Sequence, residues 1–235
     1  MKRKPKPKKT PPKHPTYHHP KPGPHGAGTL VSFLLDETGS MQSWKAGVLS
    51  LSGFQEYVET LQKQATRAHP IRFSLTKFNS EKTEVVHVAT PIQEVKPLSA
   101  ATYQPAATTP LYDAIGQTVR ELEKAIVRAG KYLVVIMTDG LENASREWTR
   151  ETVFRLIKEK EALGTWTFVY LGAAQEAWVA AEAMGINRGN TMRYDARQTA
   201  PVMARLARST VAFTCGAAAQ TKDFYRAKSW SPRQQ

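Results

Sequence analysis

Three short polar stretches in this chain carry carboxylates and hydroxyls close together: Asp36-Glu37-Thr38-Gly39-Ser40, Thr108-Thr109-Pro110-Leu111-Tyr112-Asp113, and Thr138-Asp139-Gly140. None of them holds a His or a Cys. Carboxylate and hydroxyl oxygens are hard ligands. A set gathered from three loops suits a divalent cation, Mg²⁺ first and Mn²⁺ or Ca²⁺ as alternatives, and suits zinc poorly. Asp36 and Asp139 would carry most of the attraction for a cation. In the middle stretch both Thr108 and Thr109 are candidates.

The elements around these stretches read as a scaffold that brings them together. Residues 29–36 carry a short apolar run, Leu30–Leu35, that predicts a buried strand, and the unbroken apolar run within 131–138 predicts a central one. A helix is expected over 41–65, with Trp44, Val48, Leu51, Val58 and Leu61 on one face and Ser40 in the N-cap position. Residues 71–78 and 83–90 predict a hairpin turning at Asn79–Lys82, its second strand antiparallel at an edge. The long loop 91–110 delivers the Thr pair to a helix over 111–129, with Leu111, Ile115, Leu122 and Ile126 facing in. A helix over 148–163 (Val153, Leu156, Ile157 and Leu163 inward) stops at Gly164. A strand over 165–171, a short helix over 174–184, a short strand over 190–194 and a helix over 197–213 (Val202, Leu206, Val211) complete the pattern. The order β-α-β-β-α-β-α-β-α-β-α predicts an α/β three-layer sandwich: a mostly parallel central sheet, one antiparallel edge strand, and helices on both faces.

The three polar stretches together resemble the von Willebrand factor type A (vWA) domain with a metal-ion-dependent adhesion site (MIDAS). The family pattern is Asp-x-Ser-x-Ser on a first loop, a Thr on a second and an Asp on a third. Asp36, Thr38 and Ser40 match the first, with Thr standing for Ser at the middle position and keeping its hydroxyl. The residue before Pro110 matches the second, which assigns Thr109; Thr108 stands where the family usually has Gly. Asp139 matches the third. Phe168–Ala173 and Asn190–Tyr194 further resemble bacterial and phage intracellular members. The resemblance implies a sheet of order 3-2-1-4-5-6. Asp36 and Asp139 then close two neighbouring strands, at the crevice where ligands of open parallel sheets bind. It also implies a protein partner whose Asp or Glu completes the metal shell, an adaptor role in multiprotein assemblies, some built on AAA-type ATPases, and coupling of the metal site to the last helix. Glu37, between two ligands, is expected to point away. Glu142 and Asn143 are candidate neighbours of the site, and Asp113 is expected to support the Thr loop or the start of its helix.

Charge is distributed unevenly. Of the formal +13, the 28 N-terminal residues hold +8 with no acid and eight prolines, leaving a mildly basic body. That stretch predicts a disordered tail. It offers an auxiliary electrostatic contact and, as the alternative main function, binding to nucleic acid or another polyanion. The expected organisation is a tail over 1–28, the domain over 29–215 and a C-terminal extension over 216–235. Cys215 is the single cysteine, so the fold needs no oxidising compartment, and no secretory leader is evident; a cytoplasmic protein is expected. No enzyme is expected. A two-metal cluster, a His paired with Cys215 and a Gly-rich phosphate loop are all missing from the sequence.

Overall fold

The computed structural model describes residues 28–42, 48–124, 129–173, 177–195 and 199–226. The expected tail before Gly28, the expected core positions Trp44 and Ile126, and the last part of the expected extension, 227–235, lie outside the described residues.

Six strands form one sheet: β1 (Thr29–Asp36), β2 (Ile71–Phe78), β3 (Thr83–Pro91), β4 (Lys131–Thr138), β5 (Trp166–Gly172) and β6 (Thr191–Arg193). Their order is β3-β2-β1-β4-β5-β6, parallel throughout except for β2–β3, as expected. Five α-helices accompany it among the described residues: α1 (Val48–Gln64), α2 (Leu111–Lys124), α3 (Arg150–Ala162), α4 (Ala177–Ala183) and α5 (Thr199–Cys215). No helix among the described residues is long and apolar enough to cross a membrane.

Every residue of β1 is buried. A strand sends alternate side chains to opposite faces, so one apolar run serves two cores. Val31, Phe33 and Leu35 join Phe54, Tyr57 and Leu61 of α1 and Met203 and Leu206 of α5 on one side. Leu30 and Leu34 join Ile115 and Val119 of α2 and Val153 and Ile157 of α3 on the other. Leu133, Val135 and Met137 against Val134 and Ile136 repeat the division along β4. This two-sided burial makes β1 and β4 central strands and puts both of their C-terminal ends at one rim.

Three local readings change. The chain after Asp36 first makes a 3₁₀ turn, Gly39–Met41, with Thr38 in the cap position and Ser40 inside the turn. The Ser40 hydroxyl is turned to Asp139 and not to a backbone amide. Leu163, expected inward, is 38% exposed: it caps α3 one residue past the last turn, where Gly164 (φ +74°) takes the left-handed conformation that ends the helix. The stretch 216–226, expected as an extension beyond the domain, is packed into it. Phe224 and Tyr225 belong to the α1–α5 core. The buried Asn190 side chain clips them down, donating to Thr221 O (2.9 Å) and accepting from Phe224 N (2.9 Å).

The β3 edge is long and open. Val85 and Val88 are 50% and 68% exposed, and the register breaks near Ala89, whose φ of +45° marks a bulge.

Candidate metal centre

β1 and β4 run side by side and parallel, in register from Thr29–Lys131 to Leu35–Met137, so Asp36 and Asp139 leave the sheet at the same rim. The chain after β1 goes to the face of α1 and the chain after β4 to the face of α3. The loops part and leave a crevice. The stretch leading to α2 lies across it. Tyr103, fully buried, donates its hydroxyl to Asp36 O (2.5 Å), and Gly39 N donates to Ala107 O (3.0 Å). Thr109 and Asn143 exchange two hydrogen bonds, Thr109 N to Asn143 Oδ1 (2.8 Å) and Asn143 N to Thr109 O (3.1 Å), which join the second loop to the third.

The five expected site residues come together. Asp36 Oδ1 accepts from Thr38 N (2.7 Å) and its Oδ2 from the Thr138 hydroxyl (2.5 Å). The hydroxyls of Thr38 and Ser40 share a hydrogen bond (3.2 Å), Ser40 donates to Asp139 Oδ1 (2.6 Å), and Thr109 donates to Thr38 (3.3 Å). Asp36, Thr38 and Thr109 are buried and make the floor; Asp139 is half-buried and Ser40 exposed at the mouth. The two threonines of the second loop face different ways. Thr108 is exposed and donates its hydroxyl to Ser80 (2.8 Å), while Thr109 faces the other hydroxyls.

The acidic neighbours take other work. Both oxygens of Glu142 accept hydrogen bonds, from Ala144 N and Ser145 N on one side and from Tyr112 N and the Ser145 hydroxyl on the other. Asp113 accepts from the backbone of Arg146, Glu147 and Trp148. Asp113 shapes the β4–α3 loop from α2, and Glu142 does so from within the loop while tying it to Tyr112 at the start of α2. Thr138 has a role that the sequence reading did not assign: fully buried, it aims Asp36 and accepts from Gly140 N (3.1 Å). Its position beside Asp139, on the inward side of a strand end, was the available signal.

Burial pushes the Asp36 carboxyl up to about 6, against the hydrogen bonds from Thr138 and Thr38 and with the nearby Asp139 charge adding to it. Burial also raises Asp139, opposed by the Ser40 bond. No Lys or Arg contributes to either shift. Two desolvated carboxylates without a counter-ion among the described residues are an electrostatic condition that favours a cation. Gly140 leaves the space beside them clear, for a Cβ there would stand 3.3 Å from Thr109 Oγ1 and 3.5 Å from Ser40 Oγ. Among the described residues no group of three or more His, Cys, Asp or Glu side chains gathers, so hydroxyl oxygens must supply the rest of any coordination shell. The donor set is all oxygen and fits a hard divalent cation.

No family model matches the sequence, and no curated protein matches it. Solved structures do resemble it. The vWF domain of the type V pili tip protein Mfa5 from Porphyromonas gingivalis superposes with a TM-score of 0.59 at 9% identity, covering 78% of this chain and 95% of that one. A von Willebrand factor type A structure from Catenulispora acidiphila gives 0.52 at 14% identity, over 79% of this chain and 43% of that one. Proximal thread matrix protein 1 from the mussel byssus, with a zinc-occupied MIDAS motif, gives 0.52 at 12% identity, over 78% of this chain and 46% of that one. The chain thus spans less than half the length of the latter two. The likeness is one of fold: this chain has the von Willebrand factor type A fold.

Proposed function

We propose that the chain is a metal-dependent protein-interaction module, with Asp36, Thr38, Ser40, Thr109 and Asp139 holding a divalent cation, Mg²⁺ in the first place. The carrying observation is the continuous set of hydrogen bonds among these five residues around one buried and one half-buried carboxylate, neither with a cationic partner among the described residues. When bound, the cation supplies a positive site with open positions for an Asp or Glu side chain of a protein partner. The chain's own residues do the rest. Asp36 and Asp139 provide charge, the hydroxyls of Thr38, Ser40 and Thr109 provide neutral oxygens, and Thr138 and Tyr103 hold Asp36 in place. The zinc-occupied motif of the mussel protein supports a divalent cation at this kind of site. The module is read as cytoplasmic and non-enzymatic. Burial pushes the Cys215 thiol up, the reverse of an activated nucleophile.

Gly140→Ala is expected to leave the fold intact, since a methyl 3.3–3.5 Å from two hydroxyls needs only small shifts, and to weaken Mn²⁺ binding about tenfold by filling the space beside them. Calorimetric titration measures this; unchanged affinity would place the cation elsewhere.

Partner capture tests the function. Wild type in Mg²⁺ is compared with wild type in EDTA, with Asp139→Ala, and with a chain lacking residues 1–28. Loss of the same partner with EDTA and with Asp139→Ala, and its retention without the tail, is the expected result. Capture that ignores EDTA and disappears with the tail sinks the proposal and turns attention to a polyanion held by the eight basic residues there.

A further inference from the structure

Glu37 occupies the spacer position between two proposed ligands, Asp36 and Thr38, where any residue would satisfy the spacing. It is only 1% exposed, and its side chain does not reach toward the mouth of the crevice. Its Oε1 accepts from Lys77 Nζ (3.1 Å) and from Gln104 N (2.6 Å). Lys77, 3% exposed near the end of β2, donates also to Thr102 O (2.6 Å) and lies 3.1 Å from the Glu84 carboxylate. The Glu37 backbone adds to the same junction. Its N–H donates to Phe78 O (2.8 Å), and its carbonyl accepts from Ala106 N (3.0 Å) and Asn79 Nδ2 (3.3 Å). One residue therefore fastens the first metal-side loop to the end of β2 and to the stretch that leads into Thr109.

A buried ion pair is a weak device for stability, because desolvation consumes most of the attraction, and apolar residues of the same size often do as well. Its advantage is geometric: charged hydrogen bonds are short and directional. We infer that Glu37 and Lys77 are positioning residues for the metal centre, setting the separation between the Asp36–Ser40 loop and Thr109. Their work is read out in cation affinity more than in folding. The inference rests on the metal-binding reading proposed above.

The test uses the full chain and two variants. Glu37→Gln with Lys77→Met removes both charges together and leaves no unpaired ion. Glu37→Asp keeps the charge but shortens the arm by one methylene. Mn²⁺ affinity is measured by electron paramagnetic resonance, the melting temperature in EDTA reports the fold, and hydrogen exchange at the Gly39 and Ala106 amides in EDTA reports the junction. Both variants are expected to melt within a few degrees of wild type, to exchange faster at those two amides, and to bind Mn²⁺ at least tenfold more weakly. Wild-type Mn²⁺ affinity in either variant overturns the inference and makes the pair structural only. So does a loss of Mn²⁺ affinity no larger than the lowered melting temperature accounts for. A wild-type chain that binds no Mn²⁺ overturns the metal reading first, and this inference with it.

Discussion

In metal-free buffer at pH 8, Asp36→Asn is expected to raise the melting temperature and to abolish any further rise on adding Mg²⁺. Asp36 is fully buried, and its carboxyl titrates at about 6 in the folded chain, against about 3.9 in an unfolded one. The folded state holds that proton more tightly. The group therefore costs no stability below about pH 4, costs progressively more as the pH rises to about 6, and carries its full penalty above that. Two pKa units correspond to about 3 kcal/mol at most, which in a chain of this size is a rise of roughly 5–10 °C when the charge is removed. The substitution suits the existing hydrogen bonds. An amide oxygen can still accept from Thr38 N, and an amide N–H can donate to the Thr138 hydroxyl, which lies within reach of Gly140 O (3.2 Å) as its own acceptor. The melting gap between variant and wild type should close as the pH is lowered below about 4. Affinity of the wild type for Mg²⁺ should weaken through pH 6 as protons compete for the same oxygen. Differential scanning calorimetry across that pH range decides the matter. A variant that melts lower than wild type at pH 8 and still gains stability from Mg²⁺ would remove Asp36 from the ligand set.

Phe224→Ala is expected to cost about 3–5 kcal/mol, the range for deleting a buried aromatic ring, and to lower the melting temperature by about 10 °C. Phe224 is 1% exposed, with its ring centroid 6.2 Å from that of Phe213 on α5 and 5.1 Å from that of Tyr225. Removing the ring opens a void beneath α5 and weakens the purchase of Asn190 on the chain. Asn190 is itself fully buried, and its amide is satisfied by the backbone of 221–224. The metal centre lies at the other elements, so Mn²⁺ affinity at low temperature should stay near wild type. Urea unfolding gives the energy. A chain ending at Cys215 that is as stable as the full chain would show that the 216–226 segment is an appendage after all.

Different parts of this molecule were legible to different degrees, for physical reasons. β1 and β4 announced themselves because a strand buried on both faces is apolar along most of its length. Asp36 and Asp139 stood out as the charges that end those runs. The hydroxyls of Thr38 and Ser40 were singled out by their likeness to the family's first-loop pattern. Thr108 and Thr109 are chemically equivalent; the likeness to the family pattern picked Thr109, and the structure turns Thr108 to Ser80. Thr138 was in plain view, but a Thr at a strand end is an ordinary strand residue until its acceptor is seen. Glu37 was rightly expected to turn from the site, yet its destination, Lys77, lies 40 residues on, and no periodicity reports a pairing across that distance. Phe224 and Tyr225 were missed for the same cause: two aromatic residues in a short polar stretch have no repeat to mark them as core. Patterns disclose which face of an element is dry. They do not disclose which distant segment covers it.

The open flank of the sheet has a bearing on how the chain behaves in concentrated solution. A nine-residue strand with protruding valines is the kind of surface on which identical molecules stack. Here the guards are built into the strand itself. The kink at Ala89 bends its outer amides away from a straight partner, and Lys82 and Glu84 place paired charges at the other end. Ions screen the charges but leave the kink untouched. Where salt screens the charges, the bend at Ala89 is the guard of this edge that remains, a safeguard that buffer composition does not dilute.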